Sequence, residues 1–237
     1  MVTLQVFSKR KVNSITVFAS LPDIGRVGGL VSSFLVGNLD TEHIANIISS
    51  PKPWVNVKDG VVSSAKDIYE IYFSQSQKLV ILTGDVQPED HRELLELCHT
   101  FLDFCKSIGR IKRVYTAGGS LNEMATGEPR VVGVTTRTRL REILDNSGVN
   151  ILGSEFTTIT WFNGLILGIA SDKNIEAIGF YGEIPDKSIP QPLAAKSIIK
   201  AFSKIEHLSI STKPFDAQYE EVLDNIERNK GMKTLDQ

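Results

Sequence analysis

The sequence predicts an α/β fold: a three-layer α/β/α sandwich in which a mostly parallel central sheet is covered by helices on both faces. Strand-like and helix-like segments alternate along the chain, which is typical of such folds. The run from Leu79 to Leu82 is apolar on both faces, as expected of a central parallel strand. Because we find no repeat, low-complexity tract or linker, we expect one domain over 1–237. We also expect a small hairpin inserted at 50–64 and a flexible tail at 231–237.

Composition and charge narrow the class of protein. Hydrophobic residues make up 41% and charged residues 23% of the 237 residues, as in a globular protein. A net charge of −2 gives no electrostatic reason to expect nucleic acid or an anionic membrane as partner. The chain shows no signal segment, and its most apolar run, 161–170, is too short to span a bilayer. We therefore expect a cytoplasmic protein that binds neither nucleic acid nor membrane.

The first strand–turn–helix unit sets the pattern for the rest of the chain. Residues 15–19 form the predicted strand, and the apolar residues from Val27 to Leu35 recur at helical spacing. Gly37 and Asn38 are suited to end this helix. The glycine-bearing turn between the two elements brings the unpaired N–H groups of the helix to the carboxyl edge of the strand.

The remaining elements follow in order. Further strands are predicted at 4–7, 42–49, 54–58, 61–63, 68–73, 78–83, 113–117, 130–135 and 176–181. Further helices are predicted from Pro88 to Gly109, at 139–145, at 194–205, and from Pro214 to Gly231. Residues 155–170 fit either a strand or a buried helix, and we favour the helix. The predicted helix that follows Pro88 carries Cys98 and Cys105 about 10 Å apart, too far for a disulfide, so both are expected to be free thiols of the core.

Four glycine-bearing turns follow predicted strands, and in an open α/β sheet such turns meet at one edge. Backbone N–H groups there could hold an anion. The alternative is that these glycines provide positive φ or allow close packing, and the spacing of Gly29, Ser33 and Gly37 favours packing. The candidate ligand crevice comprises Gly25, Arg26, Gly28, Gly84, Asp85, Gly118, Gly119 and Gly153.

No complete catalytic, metal or cofactor motif is present in the sequence. The glycines match neither a dinucleotide fingerprint nor a phosphate loop, and Ser120 lacks the second glycine of a nucleophile elbow. His91 and His99 would be about 12 Å apart on one helix, too far to share a metal. We therefore predict no catalytic residue, no metal site and no cofactor.

Two groups of charged residues have plain structural interpretations. Acid–base chemistry by the residues near the glycine turns is a weak hypothesis, because polar residues are usual at helix starts. The basic residues of the second group follow a helix and are expected to complement its negative end. The first group is Asp23, Arg26, Asp85, Glu123 and Glu155, and the second is Lys106, Arg110, Lys112 and Arg113.

The opening stretch, together with 83–88, 114–119 and the helix at 190–205, resembles the proteasome assembly chaperone 2 family in its archaeal and bacterial branch. The similarity is collinear over about residues 15–226. The resemblance implies a sandwich like that of nucleoside phosphorylases and hydrolases. It also implies a non-catalytic, homo-oligomeric protein that binds proteasome α subunits or rings.

One part of the chain departs from that family. Archaeal chaperones of this kind end in a hydrophobic residue, a tyrosine and a further residue, which dock in a pocket of the α ring. The given sequence has Leu235, Asp236 and Gln237 there, so the tyrosine anchor is missing and docking through the tail is not implied. The alternative function is a small-molecule protein or enzyme that holds a nucleoside- or phosphate-like ligand at the glycine-lined edge.

Overall fold

The structure is a computed structural model that describes residues 1–153 and 158–233, with side chains described up to residue 228. It contains a large mixed sheet, a separate two-stranded sheet and six α-helices in these residues. The strands are β1 (Thr3–Val6), β2 (Ser14–Ala19), β3 (Glu42–Ile48), β4 (Val55–Lys58), β5 (Val61–Ser64), β6 (Ile68–Ser74), β7 (Leu79–Gly84), β8 (Arg110–Leu121), β9 (Val131–Thr135), β10 (Asn150–Ile151) and β11 (Ala177–Ile184). The helices are α1 (Val27–Asn38), α2 (His91–Ile108), α3 (Arg141–Ser147), α4 (Trp161–Asp172), α5 (Pro192–Glu206) and α6 (Pro214–Lys233).

The large sheet has nine strands in the order β1-β3-β6-β7-β2-β8-β11-β9-β10. The four central strands, β7, β2, β8 and β11, run parallel to one another. On one side β6, β3 and β1 are added by antiparallel pairing, and on the other β9 is antiparallel to β11. The α/β class is confirmed, whereas the expectation of a mostly parallel sheet holds only in part, for the four central strands and for the edge pair β9–β10.

A short connection explains the antiparallel pairing of β6 with β7. Only four residues, 75–78, link these two strands. Because a parallel crossover needs a dozen or more residues, such a link permits only an antiparallel pair. The polar tetrapeptide between two β-rich runs was therefore a sequence signal for an antiparallel pair.

Helices cover both faces of the sheet, which gives the three predicted layers. Alternation along β2 divides its side chains: Val17 and Ala19 join the core beneath α2 and α4, whereas Phe18 joins the core beneath α1 and α5. Cys98 and Cys105 are free and buried in the first of these cores, as predicted. On the other face Phe215 of α6 stacks on Phe34 of α1 with ring centroids 4.4 Å apart.

Three predicted boundaries are wrong. Pro88 precedes α2 rather than beginning it, because the Asp90 side chain accepts hydrogen bonds from the N–H groups of Arg92 and Glu93 and caps the helix there. Gly118 and Gly119 lie inside β8, which continues to Leu121 in parallel pairing with β11. Gly231 lies within α6 rather than at its end.

Of the described part of the ambiguous segment at 155–170, residues 158–160 are not helical, and the favoured helix begins at Trp161. Residues 154–157 and 234–237 lie outside the described residues, as do Glu155 and most of the predicted tail.

Strands β4 and β5 form a hairpin around Asp59 and Gly60, at the predicted position. Val57 and Val62 are directly opposite each other and share a face with Val55. The alternation of valine and polar residues along β4 is typical of a strand with one buried face. These three valines are nevertheless 53–66% exposed, so the hairpin presents an apolar face to solvent.

Candidate functional site

Asp23 occupies the turn between β2 and α1, at the carboxyl edge of the central strands. The turn is made possible by Gly25 and Arg26, which both adopt left-handed backbone conformations, with φ of 63° and 56°. Asp23 Oδ1 accepts a hydrogen bond of 2.9 Å from the Gly28 N–H, and Oδ2 accepts one of 2.6 Å from the Gly119 N–H. A carboxylate of the chain itself therefore lies at the N-terminus of α1 and bridges it to β8.

The environment of Asp23 perturbs its ionisation. Burial raises the pKa of Asp23 to about 6, and the hydrogen bonds from Gly28 and Gly119 oppose this effect only in part. The buried Tyr181 ring packs close to this carboxyl group, and burial raises the pKa of its phenol strongly as well. Asp23 is therefore mainly ionised at pH 7 but gains a proton at a mildly acidic pH.

The glycines at this junction leave room for backbone rather than for a ligand. A Cβ on Gly28 would lie 2.5 Å from the Leu21 carbonyl oxygen and 2.7 Å from that of Ala117. A Cβ on Gly118 would lie 2.6 Å from Asp23 Oδ2, and one on Gly119 would lie 2.7 Å from the Ile24 carbonyl oxygen. Close approach of β2, α1 and β8 thus requires glycine at these positions.

The predicted packing ridge along α1 is limited to its first member. A Cβ on Gly29 would meet Pro22 Cγ at 2.7 Å, whereas one on Gly37 would meet nothing within 4 Å. Ser33 is exposed. The spacing by four therefore did not identify a continuous packed face.

A second set of hydrogen bonds ties α4 to the same edge. The side-chain amide of Asn163 accepts from the Leu21 N–H and donates to the Leu21 carbonyl oxygen, at 3.0 Å each. The Gln87 side chain donates to the Pro22 carbonyl oxygen at 2.7 Å and accepts from the Phe162 N–H at 2.8 Å. Two side-chain amides thus cross-link the loops that follow β2 and β7 to the start of α4.

A cavity of about 540 Å³ lies beside this network. Its walls include apolar side chains from several elements, and Trp161, with φ of 59°, stands at the start of α4 beside it. Asp23 and Glu89 are the two charged residues among the described residues that line it, and both are acidic. The volume lies within the range of small-molecule sites, and the charge suits a neutral or cationic ligand better than an anion.

The structure brings only part of the predicted crevice together. Gly119 lines the cavity, whereas Gly28 and Gly118 are buried in the packing beside it. The remaining predicted residues do not line the cavity; they are Gly25, Arg26, Gly84, Asp85 and Gly153.

Sequence reasoning missed most of the cavity and its supports. Gln87, Trp161 and Tyr181 line the cavity, but none of them was predicted as a site residue, although Gln87 lies in the 83–88 segment that carries the family resemblance. The role of Asn163 could have been predicted, because it is a lone side-chain amide in an otherwise apolar run. A buried amide needs hydrogen-bond partners, and these are the Leu21 backbone groups.

Metal-binding clusters and membrane-spanning helices are both absent from the described residues. In 1–153 and 158–233 no three His, Cys, Asp or Glu side chains are grouped so that they could hold a metal ion. No helix in this part of the chain is long and apolar enough to cross a membrane.

Comparisons with known proteins relate the fold to a family. No protein with curated annotation matches the sequence. The crystal structure of Pyrococcus furiosus PbaB, an archaeal proteasome activator, has a TM-score of 0.83 and 27% identity over 97% of this chain and 98% of that one.

Two other structures share the fold at lower identity. Pyrococcus furiosus PbaA, an archaeal homolog of proteasome-assembly chaperone, has a TM-score of 0.77 and 20% identity, with all of both chains covered. A proteasome-assembly chaperone homologue from Mycobacterium tuberculosis has a TM-score of 0.72 and 17% identity, with 90% of this chain and 94% of that one covered. The model of the PAC2 family matches residues 17–230, and the chain therefore belongs to the PAC2 family.

Proposed function

We propose that this protein is a non-catalytic, cytoplasmic binding factor that recognises proteasome α subunits or assembled α rings. The observation that carries the proposal is the family match over residues 17–230, together with the likeness to PbaB over nearly the whole of both chains. PbaB is an archaeal proteasome activator, which makes proteasome subunits the first partners to test.

Features of the surface support a role in protein binding. The face of the β4–β5 hairpin formed by Val55, Val57 and Val62 is exposed, and Trp54 beside it is 52% exposed. Contiguous apolar surface of this kind marks interaction sites on soluble proteins. We propose that this face contributes to α-subunit binding.

The test is capture of purified proteasome α subunits, and separately of assembled α rings, by the immobilised full-length chain. A variant with Val57→Ser and Val62→Ser removes apolar area from the hairpin without touching either core. Leu95→Ser, at a 43% exposed position of α2, is the matched control. Size-exclusion chromatography with light scattering on the same proteins measures self-association.

We expect the wild-type chain and the Leu95→Ser control to capture α subunits or rings. Weaker capture by the hairpin variant would assign the hairpin to the α-subunit contact, whereas a smaller assembly with capture retained would assign it to self-association. Failure of the wild-type chain to capture either subunits or rings would refute the proposed partner.

A second candidate function is small-molecule binding at the carboxyl edge, and the 540 Å³ cavity favours it. Of the two predicted kinds of ligand, a neutral nucleoside-like molecule suits the cavity better than a phosphate. Trp161 could stack on a base, while Asp23 and Glu89 would repel an anion.

Thermal unfolding in the presence of nucleosides, and separately of inorganic phosphate, tests this candidate. A ligand at 100 times its Kd stabilises the folded chain by about 2.7 kcal/mol. Stabilisation by a nucleoside that is lost in Trp161→Ala would support the candidate, and no shift with any nucleoside at millimolar concentration would refute it.

A further inference from the structure

A second cavity, of about 660 Å³, lies at the opposite edge of the sheet, where the central parallel strands begin. Its walls come from the starts of β2 and β8, the segment before β11, the turn before α3 and the end of α5. Arg110, Lys112, Arg113 and Arg139 line it together with Glu176 and Glu206. Counting these Arg, Lys and Glu side chains gives the wall a charge of +2, whereas the whole chain carries −2.

A β-bulge concentrates the basic residues of β8 on this cavity. In the pairing with β2, Ile15 lies opposite Ile111 and the next residue, Thr16, lies opposite Arg113, so that Lys112 is the extra residue. Regular alternation would place Arg113 on the face opposite Arg110, yet all four residues from Arg110 to Arg113 line the cavity. Bulges commonly re-aim a side chain beside a functional site.

The two carboxylates that line the cavity, Glu176 and Glu206, already have partners within the chain: two arginines and a buried phenol. Glu176 Oε2 accepts hydrogen bonds from Arg113 Nε at 3.3 Å and from Arg113 Nη2 at 3.0 Å, and Glu176 Oε1 is paired with Arg139. Glu206 accepts a hydrogen bond from the hydroxyl of Tyr115. Although burial raises the pKa of Glu176, the hydrogen bonds from the two arginines outweigh it and hold that pKa below its ordinary value.

Two cations are left over. Within the described part of the chain, neither Arg110 nor Lys112 forms an ion pair, and both are exposed. Each guanidinium or ammonium group can donate several hydrogen bonds to an oxyanion. These two side chains therefore supply the unmatched charge of the cavity.

The predicted role of these residues was to complement the negative end of the preceding helix, α2. That end is satisfied by other groups: the Val12 N–H donates to the Ile108 carbonyl oxygen at 2.9 Å, and Lys11 Nζ donates to that of Ser107 at 3.4 Å. Lys106, the fourth member of the predicted cluster, pairs with Asp103 at 3.6 Å and does not line the cavity. The helix end therefore does not require Arg110 or Lys112.

We propose that this cavity binds a small anion that carries two or more negative charges on phosphate or carboxylate groups. Arg110 and Lys112 contact the anion, while the Arg113–Glu176–Arg139 cluster forms a fixed wall. Arginine is suited to bidentate contact with either kind of oxyanion, and the cavity has the volume of a small-molecule site. The site is distinct from the cavity beside Asp23 and does not depend on proteasome binding.

Isothermal titration at low ionic strength tests this inference, with pyrophosphate and citrate as the two probes. The double variant Arg110→Gln and Lys112→Gln removes the two unmatched charges. Arg92→Gln and Lys66→Gln, a pair of exposed cations that do not line this cavity, changes the net charge equally and serves as the control. Circular dichroism melting verifies that each variant is folded.

We expect pyrophosphate, citrate or both to bind the wild-type chain and the control equally well, with at least tenfold weaker binding to the double variant. The probe that binds more tightly distinguishes a phosphate ligand from a carboxylate ligand. Absence of binding by both probes at millimolar concentration would overturn the inference. Equal weakening of binding in the control variant would also overturn it.

Discussion

Gly28→Ala measures how tightly the turn at Asp23 is packed. The new methyl group would lie 2.5 Å from the Leu21 carbonyl oxygen, 2.7 Å from that of Ala117 and 2.9 Å from Asn163 Nδ2. The first two atoms are backbone carbonyl oxygens. The third, Asn163 Nδ2, is held by the hydrogen bonds between the Asn163 amide and the Leu21 backbone. No flexible side chain can move aside to admit the methyl group.

Overpacking of a core costs about 1–3 kcal/mol, and three fixed contacts place Gly28→Ala at the upper end, about 3 kcal/mol. Gly37→Ala on the same helix is the matched control, because a Cβ there meets nothing within 4 Å. Alanine is favoured over glycine within a helix by about 0.5–1 kcal/mol, so this variant should be slightly stabilised.

Urea unfolding followed by circular dichroism gives the free energy of unfolding of both variants, and thermal unfolding gives their midpoint temperatures. For a chain of this size we expect the midpoint temperature to fall by about 6–12 °C in Gly28→Ala and to rise slightly in Gly37→Ala. If the two variants agreed within about 0.5 kcal/mol, the account of Gly28 as a packing residue would be refuted.

Two further outcomes follow from buried groups. An NMR titration of the Asp23 carboxyl carbon should give a pKa of about 6 rather than 3.8, and a value below 4 would contradict the account of its burial. Because folding raises this pKa, protonation of Asp23 favours the folded chain over the unfolded chain by about 3 kcal/mol. This contribution to stability is fully present below pH 3.8 and is lost as the pH rises through about 6. Cys98 and Cys105 should not react with a thiol reagent in the native chain, since burial raises the pKa of the Cys98 thiol to about 12 and that of Cys105 well above its ordinary value. Rapid labelling without denaturant would show that α2 opens.

Local patterns were sufficient to predict most elements of the fold. The periodicity of Val27 to Leu35 predicted α1, and the period of two in the strands predicted much of the sheet. The end of β8 could not be predicted in this way, because Gly118 and Gly119 look like a turn. They continue the strand because β11 pairs with them along its whole length, and that pairing depends on residues some 60 positions away.

The candidate site was harder to predict for a related reason. The glycine turns were identified, but their neighbours were not, because Asn163 reaches Leu21 across 142 positions of sequence. Asp23 was identified only as a polar residue near a turn. Its contact with Gly119 depends on the neighbouring positions of β2 and β8 in the sheet, and no motif in the sequence encodes that adjacency.

The two edges of the sheet differ in the sign of the charge that they present to a ligand. Ligands of open α/β sheets usually lie at the carboxyl edge, where N–H groups of helix starts attract anions. In this chain Asp23 already accepts hydrogen bonds from two such N–H groups, and the cavity beside it carries acidic residues. At the opposite edge, carbonyl groups at the end of α2 accept hydrogen bonds from within the chain. Arg110 and Lys112 line the cavity there without a partner carboxylate among the described residues. An anion should therefore bind at the amino edge, and pyrophosphate should protect Lys112 from acetylation while leaving the modification of Lys187 unchanged.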